Sequence, residues 1–313
     1  MISGRFIVKN NYYNEIKNEL INNEIYKRVK DYSKNRNELS TYYNVGKLLI
    51  EAQGGEDRAK YGNVLIKEYS LKLTNELAQK YSYRSLYNMR KFYLAFKDNE
   101  ILQAVPAKLT WSHYCELLPL KDINEINYYI DISVAQNLSY RQLREKIKNK
   151  EYQRLDDKTK LKLINKEEMN IGDNIKNPII IKNKLDIDKE NISEKILQRL
   201  ILEDISSFLK ELGEGYSFIE NEYKIKINNT YNYIDLLLFN IKYNCYVVVE
   251  LKVTEIKKEH IGQIQIYMNY IDKHIKGITN NKTIGIIVAR RDNHYYIEYS
   301  SDERIYTRSY EIV

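Results

Sequence analysis

At 313 residues, with 43% apolar and 30% charged side chains, the chain is too long for one small core and points to about two domains. No stretch approaches the ~18 consecutive apolar residues of a membrane span, and the opening "MISGRFIVKNNYYNEIKNEL" meets charge too soon to serve as the apolar region of a signal peptide. Two distant cysteines, Cys115 and Cys245, fit neither a disulfide framework nor a metal spacing, so a reducing cytoplasm without a membrane is expected.

The net charge of +7 is unevenly spread: residues 1–150 hold 25 Lys+Arg against 17 Asp+Glu, and residues 151–313 hold 25 against 26. A basic half followed by a neutral one suits a chain that grips a polyanion with the first and acts on it with the second, although such a skew also occurs in proteins that touch no nucleic acid.

Residues 1–150 read as an all-α domain, its apolar residues recurring at three and four spacing through "YYNEIKNELINNEIYKRVKDYSKNRNEL" and "STYYNVGKLLIEAQ", the latter stopping at Gly54-Gly55. A helix over Val64–Gln79 and another over Arg84–Lys97, N-capped by Ser82, are joined by the short "KYSY". The second has an apolar stripe of Leu86, Met89, Tyr93 and Phe96, which leaves Arg84, Tyr87, Arg90 and Lys91 on other faces. The pair is helix-turn-helix-like, with those four residues as a candidate DNA-binding face, but any helical hairpin with a solvated basic face has the same pattern. His113, beside Trp111, is expected to pack or cap at a helix start. After Ser139 a short helix carries Arg141 and Arg144, placed either to grip phosphates or to keep a surface soluble.

Residues 151–177 are mostly charged and read as a linker, and residues 178–313 change grammar. One amphipathic helix, "SEKILQRLILEDISSFLKELGEG", should end at Gly213. Strands "YSFIENEYKIKI", "YNYIDLLLF" and "CYVVVELKV" follow, then a helix over Lys258–Ile275 and strands "TIGIIVAR" and "YYIEYS". This is an α/β domain with a mixed sheet, and the whole chain is an α+β two-domain protein.

Glu250 and Lys252 interrupt the run "VVVELKV", where an unpaired charge inside a sheet is costly. With the turn centred between Lys242 and Tyr243, paired residue numbers sum to 485 and Asp235 falls opposite Glu250. Side-chain alternation puts Lys252 on the face of Glu250. Two carboxylates with Cβ atoms about 5 Å apart repel unless something positive lies between them. Mg²⁺, or Mn²⁺ in its place, held by Asp235, Glu250 and the Leu251 carbonyl, would resolve the conflict and leave room for water and a phosphate oxygen. A structural ion pair with Lys252 at a strand end is the bland alternative. Gln263 and Tyr267, four residues apart on the next helix, could contact the scissile strand or hold Lys252. Glu211 could add a third carboxylate or be a solvated helix glutamate. His260 and His274 are too far apart in sequence to pair on a metal.

The helix with a glutamate, "ID", "ELK" and "GQIQIY", in that order, resembles the PD-(D/E)xK nuclease superfamily, the last element matching a Q-x-x-x-Y pattern. Over nearly the full length the chain resembles the YhcG-like family: "VGKLLIEAQGGEDRAKYG", "YSYRSLYNMRKFYLAF" and "VPAKLTWSHYCELL" match its helical N-terminal domain, and "FLKELGEGYSFI", "YIDLLLFN", "VVVELKV", "HIGQIQIYMNYID" and "TIGIIVA" match its nuclease domain. The resemblance implies a restriction-endonuclease-like fold, Asp235 and Glu250 as metal ligands, Lys252 as the catalytic lysine, and Gln263 and Tyr267 as an accessory pair. It also implies Mg²⁺ dependence and a DNA substrate, duplex or branched, in bacterial genome maintenance or defence. Ile234 stands where the superfamily name has proline, a departure that removes no ligand. The expected function is a metal-dependent DNA endonuclease, with the long N-terminal helices available for a homodimer contact; the rival is a catalytically silent DNA-binding or assembly module.

Overall fold

The computed structural model describes residues 11–28, 34–55, 62–77, 81–97, 109–188, 192–291 and 302–313. The chain divides into two compact units, Met1–Tyr152 and Gln153–Val313.

The first unit is helical: α1 (Asn11–Arg28), α2 (Lys34–Ala52), α3 (Gly62–Glu76), α4 (Tyr83–Phe96), α5 (Trp111–Leu117), α6 (Ile123–Ala135) and α7 (Tyr140–Lys148). Local chemistry sets several of the ends. The Ser82 hydroxyl accepts from the Ser85 N–H at the start of α4, and Ser139 with Gln142 forms a capping box on α7. His113 is buried, with Nδ1 accepting from the Thr110 N–H at 3.2 Å and Nε2 2.9 Å from the Leu138 carbonyl, so it fastens the start of α5, as expected. The core joins Ile16 and Leu20 of α1, Val45 and Leu49 of α2, Ile66 and Leu73 of α3, and Leu86 and Met89 of α4. Gly46 lets α2 and α4 touch, because a Cβ there would lie 2.2 Å from the Met89 carbonyl oxygen.

The face expected to bind DNA on α4 needs correction. Arg90 is only 9% exposed, and Phe92, outside the expected stripe, is fully buried while Tyr93 is half-buried. A single stripe underestimates α4 because it has cover on more than one side. Phe92 packs edge-on against both Trp111 and Tyr114 of α5, with ring centroids 5.4 and 5.2 Å away, while Gly46 brings α2 against Met89. Arg84 and Lys91 are exposed; half-buried Tyr87 stacks on Tyr83, with the Lys91 amine 5.1 Å from its ring. On α7 both Arg141 and Arg144 are exposed, and Arg144 is held by Glu116 through two hydrogen bonds of 3.0 and 2.6 Å.

The second unit begins inside the segment read as a linker, and this too is a correction. Residues 157–165 form α8 (Asp157–Asn165), and Gly172–Asn174 form a 3-10 turn. Buried Arg308 ties the segment down by donating to the carbonyls of Ile175 and Gly172 and to Asp156, at 3.0, 2.9 and 3.1 Å. The segment's charged composition hid this anchoring, since its partner lies about 135 residues later in the chain.

Six strands follow, β1 (Ile179–Ile181), β2 (Tyr216–Ile227), β3 (Thr230–Asn240), β4 (Cys245–Glu255), β5 (Ile284–Arg291) and β6 (Ile305–Ile312), with helices α9 (Glu194–Glu203), α10 (Ile205–Leu212) and α11 (Lys258–His274). They form one mixed sheet in the order β1-β6-β5-β4-β3-β2, in which β2, β3 and β4 are antiparallel neighbours and β4, β5, β6 and β1 run parallel. The expected single helix over residues 193–213 is two, because Asp204 leaves helical geometry (φ −136°, ψ 51°) and caps α10 by accepting from the Ser207 N–H. Gly213, at φ +118°, ends α10 as expected. The expected strand "YYIEYS" lies outside the described residues, and β6 and short β1 were not foreseen.

Leu197, Leu200, Phe208 and Leu212 of α9 and α10 pack with Leu236, Val247, Val249 and Leu251; on the other face Ile264, Met268 and Ile271 of α11 pack with Leu237, Val248 and Ile287. Strand β4 is thus covered on both faces, which is why it reads as a valine run.

Candidate active site

The site forms where β3 and β4 part. Their ladder runs from Asn240/Cys245 to Leu236/Val249, in the expected register, so Asp235 and Glu250 come next on the two strands. There the ladder gives way to a side chain. The Leu251 N–H donates to Asp235 Oδ2 at 2.7 Å, while the Asp235 carbonyl accepts from the Gln198 amide on α9 at 3.0 Å. On the far side of β3, Glu222 of β2 adopts φ 50°, a left-handed conformation that bends an otherwise extended strand. Asp235 therefore sits at an irregularity of both its neighbours, where its carboxylate can turn into the gap.

Glu250 is 1% exposed, and among the described residues its Oε1 has no hydrogen-bond partner. Burial first, then the charge of Asp235, pushes its carboxyl up to about 8. Asp235 is also raised by burial, opposed by the Leu251 hydrogen bond and by Lys252. The Lys252 amine lies 3.4 Å from Glu250 Oε2 and 3.9 Å from Glu194 Oε2. On α11, Gln263 Nε2 donates to the Tyr267 hydroxyl at 3.0 Å, and Tyr267 is raised by burial and by the charges of Glu250 and Asp235. The structure thus gathers Asp235, Glu250, Leu251 and Lys252, with the Gln263–Tyr267 pair within their electrostatic reach.

A hard divalent cation fits this donor set. The Lys252 ammonium is shared among Glu250, Glu194 and half-buried Asp235, and one oxygen of the buried Glu250 has no partner among the described residues, an expensive arrangement without further positive charge. A strand residue directs its N–H and C=O to the same edge, so the Leu251 carbonyl leaves β4 on the side of Asp235. Oxygen donors few in number leave positions for water, as Mg²⁺ prefers. Among the described residues no group of three or more His, Cys, Asp or Glu is placed to hold a metal ion, so the donor set here is two carboxylates and a backbone carbonyl.

Glu211 is not brought to this pair. It is the buried counter-ion of Arg154, with Arg154 Nη2 at 3.2 Å, and it accepts the Ile180 N–H of β1 at 3.0 Å. Strand β1 lies three strands from β4, about 14 Å at ~4.8 Å per strand. The nearby glutamate is Glu194, which sequence reasoning missed. Its signal was present in "SEKIL", where Ser193 caps α9 by accepting the Ile196 N–H and so fixes Glu194 in the first turn. His260 holds the start of α11, Nδ1 accepting from the Lys257 N–H at 3.1 Å, and His274 packs on Tyr270. No helix among the described residues is long and apolar enough to cross a membrane.

The profile of the YhcG PDDEXK nuclease domain matches residues 173–312, and that of the DUF1016 N-terminal domain matches residues 17–154. "Putative nuclease YhcG" of Escherichia coli (strain K12) is 27% identical over 286 residues, covering 80% of this chain and 76% of that protein. Among solved structures, a repair endonuclease from Pyrococcus abyssi is similar with a TM-score of 0.28 at 20% identity, and an EndoMS–dsDNA complex with 0.29 at 19%. Each alignment covers 39% of this chain, which spans about half of either structure's length, 49% and 48%. The chain is a distant homologue of the Escherichia coli YhcG protein and carries a YhcG PDDEXK nuclease domain behind a DUF1016 N-terminal domain.

Proposed function

We propose that the second unit is a metal-dependent deoxyribonuclease that hydrolyses phosphodiester bonds within DNA, and that the first unit engages the duplex or a protein partner. The observation that carries this reading is the Asp235–Glu250 pair, with its partnerless buried oxygen and Lys252 3.4 Å from the opposite oxygen. Asp235, Glu250 and the Leu251 carbonyl would hold Mg²⁺ or Mn²⁺. When bound, the ion supplies Lewis-acid stabilisation of phosphoryl oxygens and a water of lowered pKa.

The protein's own groups have separable tasks. The Leu251 N–H favours the ionised form of Asp235 and fixes its orientation. Lys252 offers N–H donors and a positive charge beside the carboxylates, where charge develops on the phosphate during attack. Gln263 and Tyr267, bonded to each other, form a polar wall that positions the strand or Lys252. Burial of Glu250 and Lys252 strengthens the interactions they make.

The test is cleavage of supercoiled, linear and branched DNA with Mg²⁺, Mn²⁺ or EDTA. Cutting should require the metal, and Asp235→Asn and Lys252→Ala should each reduce it by at least about 100-fold, the scale for losing one transition-state contact. Undiminished cleavage by Asp235→Asn refutes the assignment. Salt-sensitive DNA binding with no cleavage of any form would instead indicate a silent module.

A further inference from the structure

Gly46 and Gly285 have packing reasons to lack a side chain, since a Cβ would lie 2.2 Å from the Met89 carbonyl oxygen in one case and 2.7 Å from Met268 Sδ in the other. Gly262 has none. It lies inside α11, where glycine costs about 1 kcal/mol relative to alanine, and a Cβ added there would meet nothing within 4 Å. The space it leaves open is part of a groove of ≈ 650 Å³ between α11 and the β2–β3 turn.

Gln263 and Tyr267, bonded to each other and assigned above to the proposed site, both belong to the wall of this groove. From the turn come Asn228, Thr230 and Asn232, with hydroxyl and amide donors and acceptors; from the helix comes Ile266, 53% exposed although strongly apolar. The one charged residue in the lining is Glu259, whose carboxylate lies 3.9 Å from the Lys257 amine, so the lining itself offers no cation to a phosphate. A nucleobase suits it: neutral, with an apolar face for Ile266 and polar edges for the amides. In a duplex the base faces are stacked and only edges reach the grooves, so only an unpaired or extruded base could enter.

We infer that this groove seats the base of an unpaired nucleotide in the DNA strand being cut, in the space left open at Gly262, so that the enzyme prefers single-stranded or branched DNA to blunt duplex. The inference rests on the nuclease reading of the neighbouring carboxylates, and it is tested without them. Full-length protein in EDTA is titrated into an end-labelled oligonucleotide, as a single strand and as the blunt duplex, and binding is read by fluorescence anisotropy.

The parent should bind the single strand more tightly. Gly262→Leu, which fills the groove while favouring the helix, should weaken single-strand binding by about tenfold or more, the scale of one lost base contact, and leave the melting temperature equal or higher. Ile266→Ala, at an exposed position, should weaken it in the same direction. Equal affinity of parent and Gly262→Leu for the single strand, or an equal loss of single-strand and duplex binding in Gly262→Leu, overturns the groove while leaving metal-dependent cleavage intact. A dimer that becomes a monomer in Gly262→Leu, with DNA binding unchanged, would make the groove a self-association surface and also overturn it. Tight single-strand binding that Gly262→Leu abolishes, in a parent that cuts nothing with Mg²⁺, sustains the groove and sinks the nuclease reading.

Discussion

Glu250→Gln isolates the cost of placing a carboxylate in the core of the sheet. Glutamine has nearly the shape of the protonated acid, so the substitution removes the ionisation and little else. In the unfolded chain the carboxyl ionises near its ordinary value of 4.5, and in the metal-free fold near 8. Below the first value both states carry the proton. Between the two, unfolding releases it, and stability falls by about 1.4 kcal/mol per pH unit, on the order of 5 kcal/mol across the window; above the second the loss is complete. Asp235 is raised too and contributes in the same sense. Urea denaturation in EDTA, followed by circular dichroism from about pH 5 to about pH 8.5, should show the parent weakening steadily and Glu250→Gln weakening much less. Added Mg²⁺ should restore the parent at the alkaline end and do nothing for the variant. Parallel pH profiles for the two proteins would show that Glu250 is not buried as described, and the argument for a metal would lose its base.

Two further outcomes test the corrected parts of the molecule. Glu211→Gln removes a negative charge from beside the buried Arg154 guanidinium, so it should cost about 1–3 kcal/mol of stability, with Mg²⁺ stabilisation retained; loss of the metal response without loss of stability would return Glu211 to the site. Gly46→Ala should destabilise the first unit by about 1–3 kcal/mol as α2 and α4 are forced apart, read by the fluorescence of Trp111, the chain's single tryptophan; an unchanged melting curve would contradict the close approach.

The legible parts of the fold were those fixed by local chemistry. Ser82 and Ser139 gave their helix starts, Gly213 its helix end, and the turn at Lys242–Tyr243 the register that sets Asp235 before Glu250. What escaped depended on distant partners. Residues 151–177 look like a linker until Arg308 is seen to anchor them, and Arg90 looks solvated until α4 is found covered on more than one side. Glu211 drew attention as a carboxylate near a helix end, yet Arg154 claims it. Glu194, in the next helix toward the N-terminus, is an exposed first-turn glutamate, and what sets it apart is the Lys252 amine 3.9 Å away, a partner 58 residues later in the chain. Asp204 breaks the helix between Glu194 and Glu211, a break that amphipathic periodicity alone does not reveal.

Asp235 has a structural duty that Glu250 lacks, and this separates the two ligands experimentally. Its Oδ2 takes the place of a ladder acceptor for the Leu251 N–H, and Leu251 is 1% exposed, so no water readily replaces it. Asp235→Ala should therefore cost about 1–3 kcal/mol for a stranded buried donor, partly offset by relief of repulsion with Glu250. Asp235→Asn keeps a carbonyl acceptor while removing the charge, and should be the more stable of the two. Both should fail to gain stability from Mg²⁺, which distinguishes a lost ligand from a damaged fold. If Asp235→Asn is stabilised by Mg²⁺ as strongly as the parent, the ion does not bind between these strands, and the buried carboxylates need another explanation.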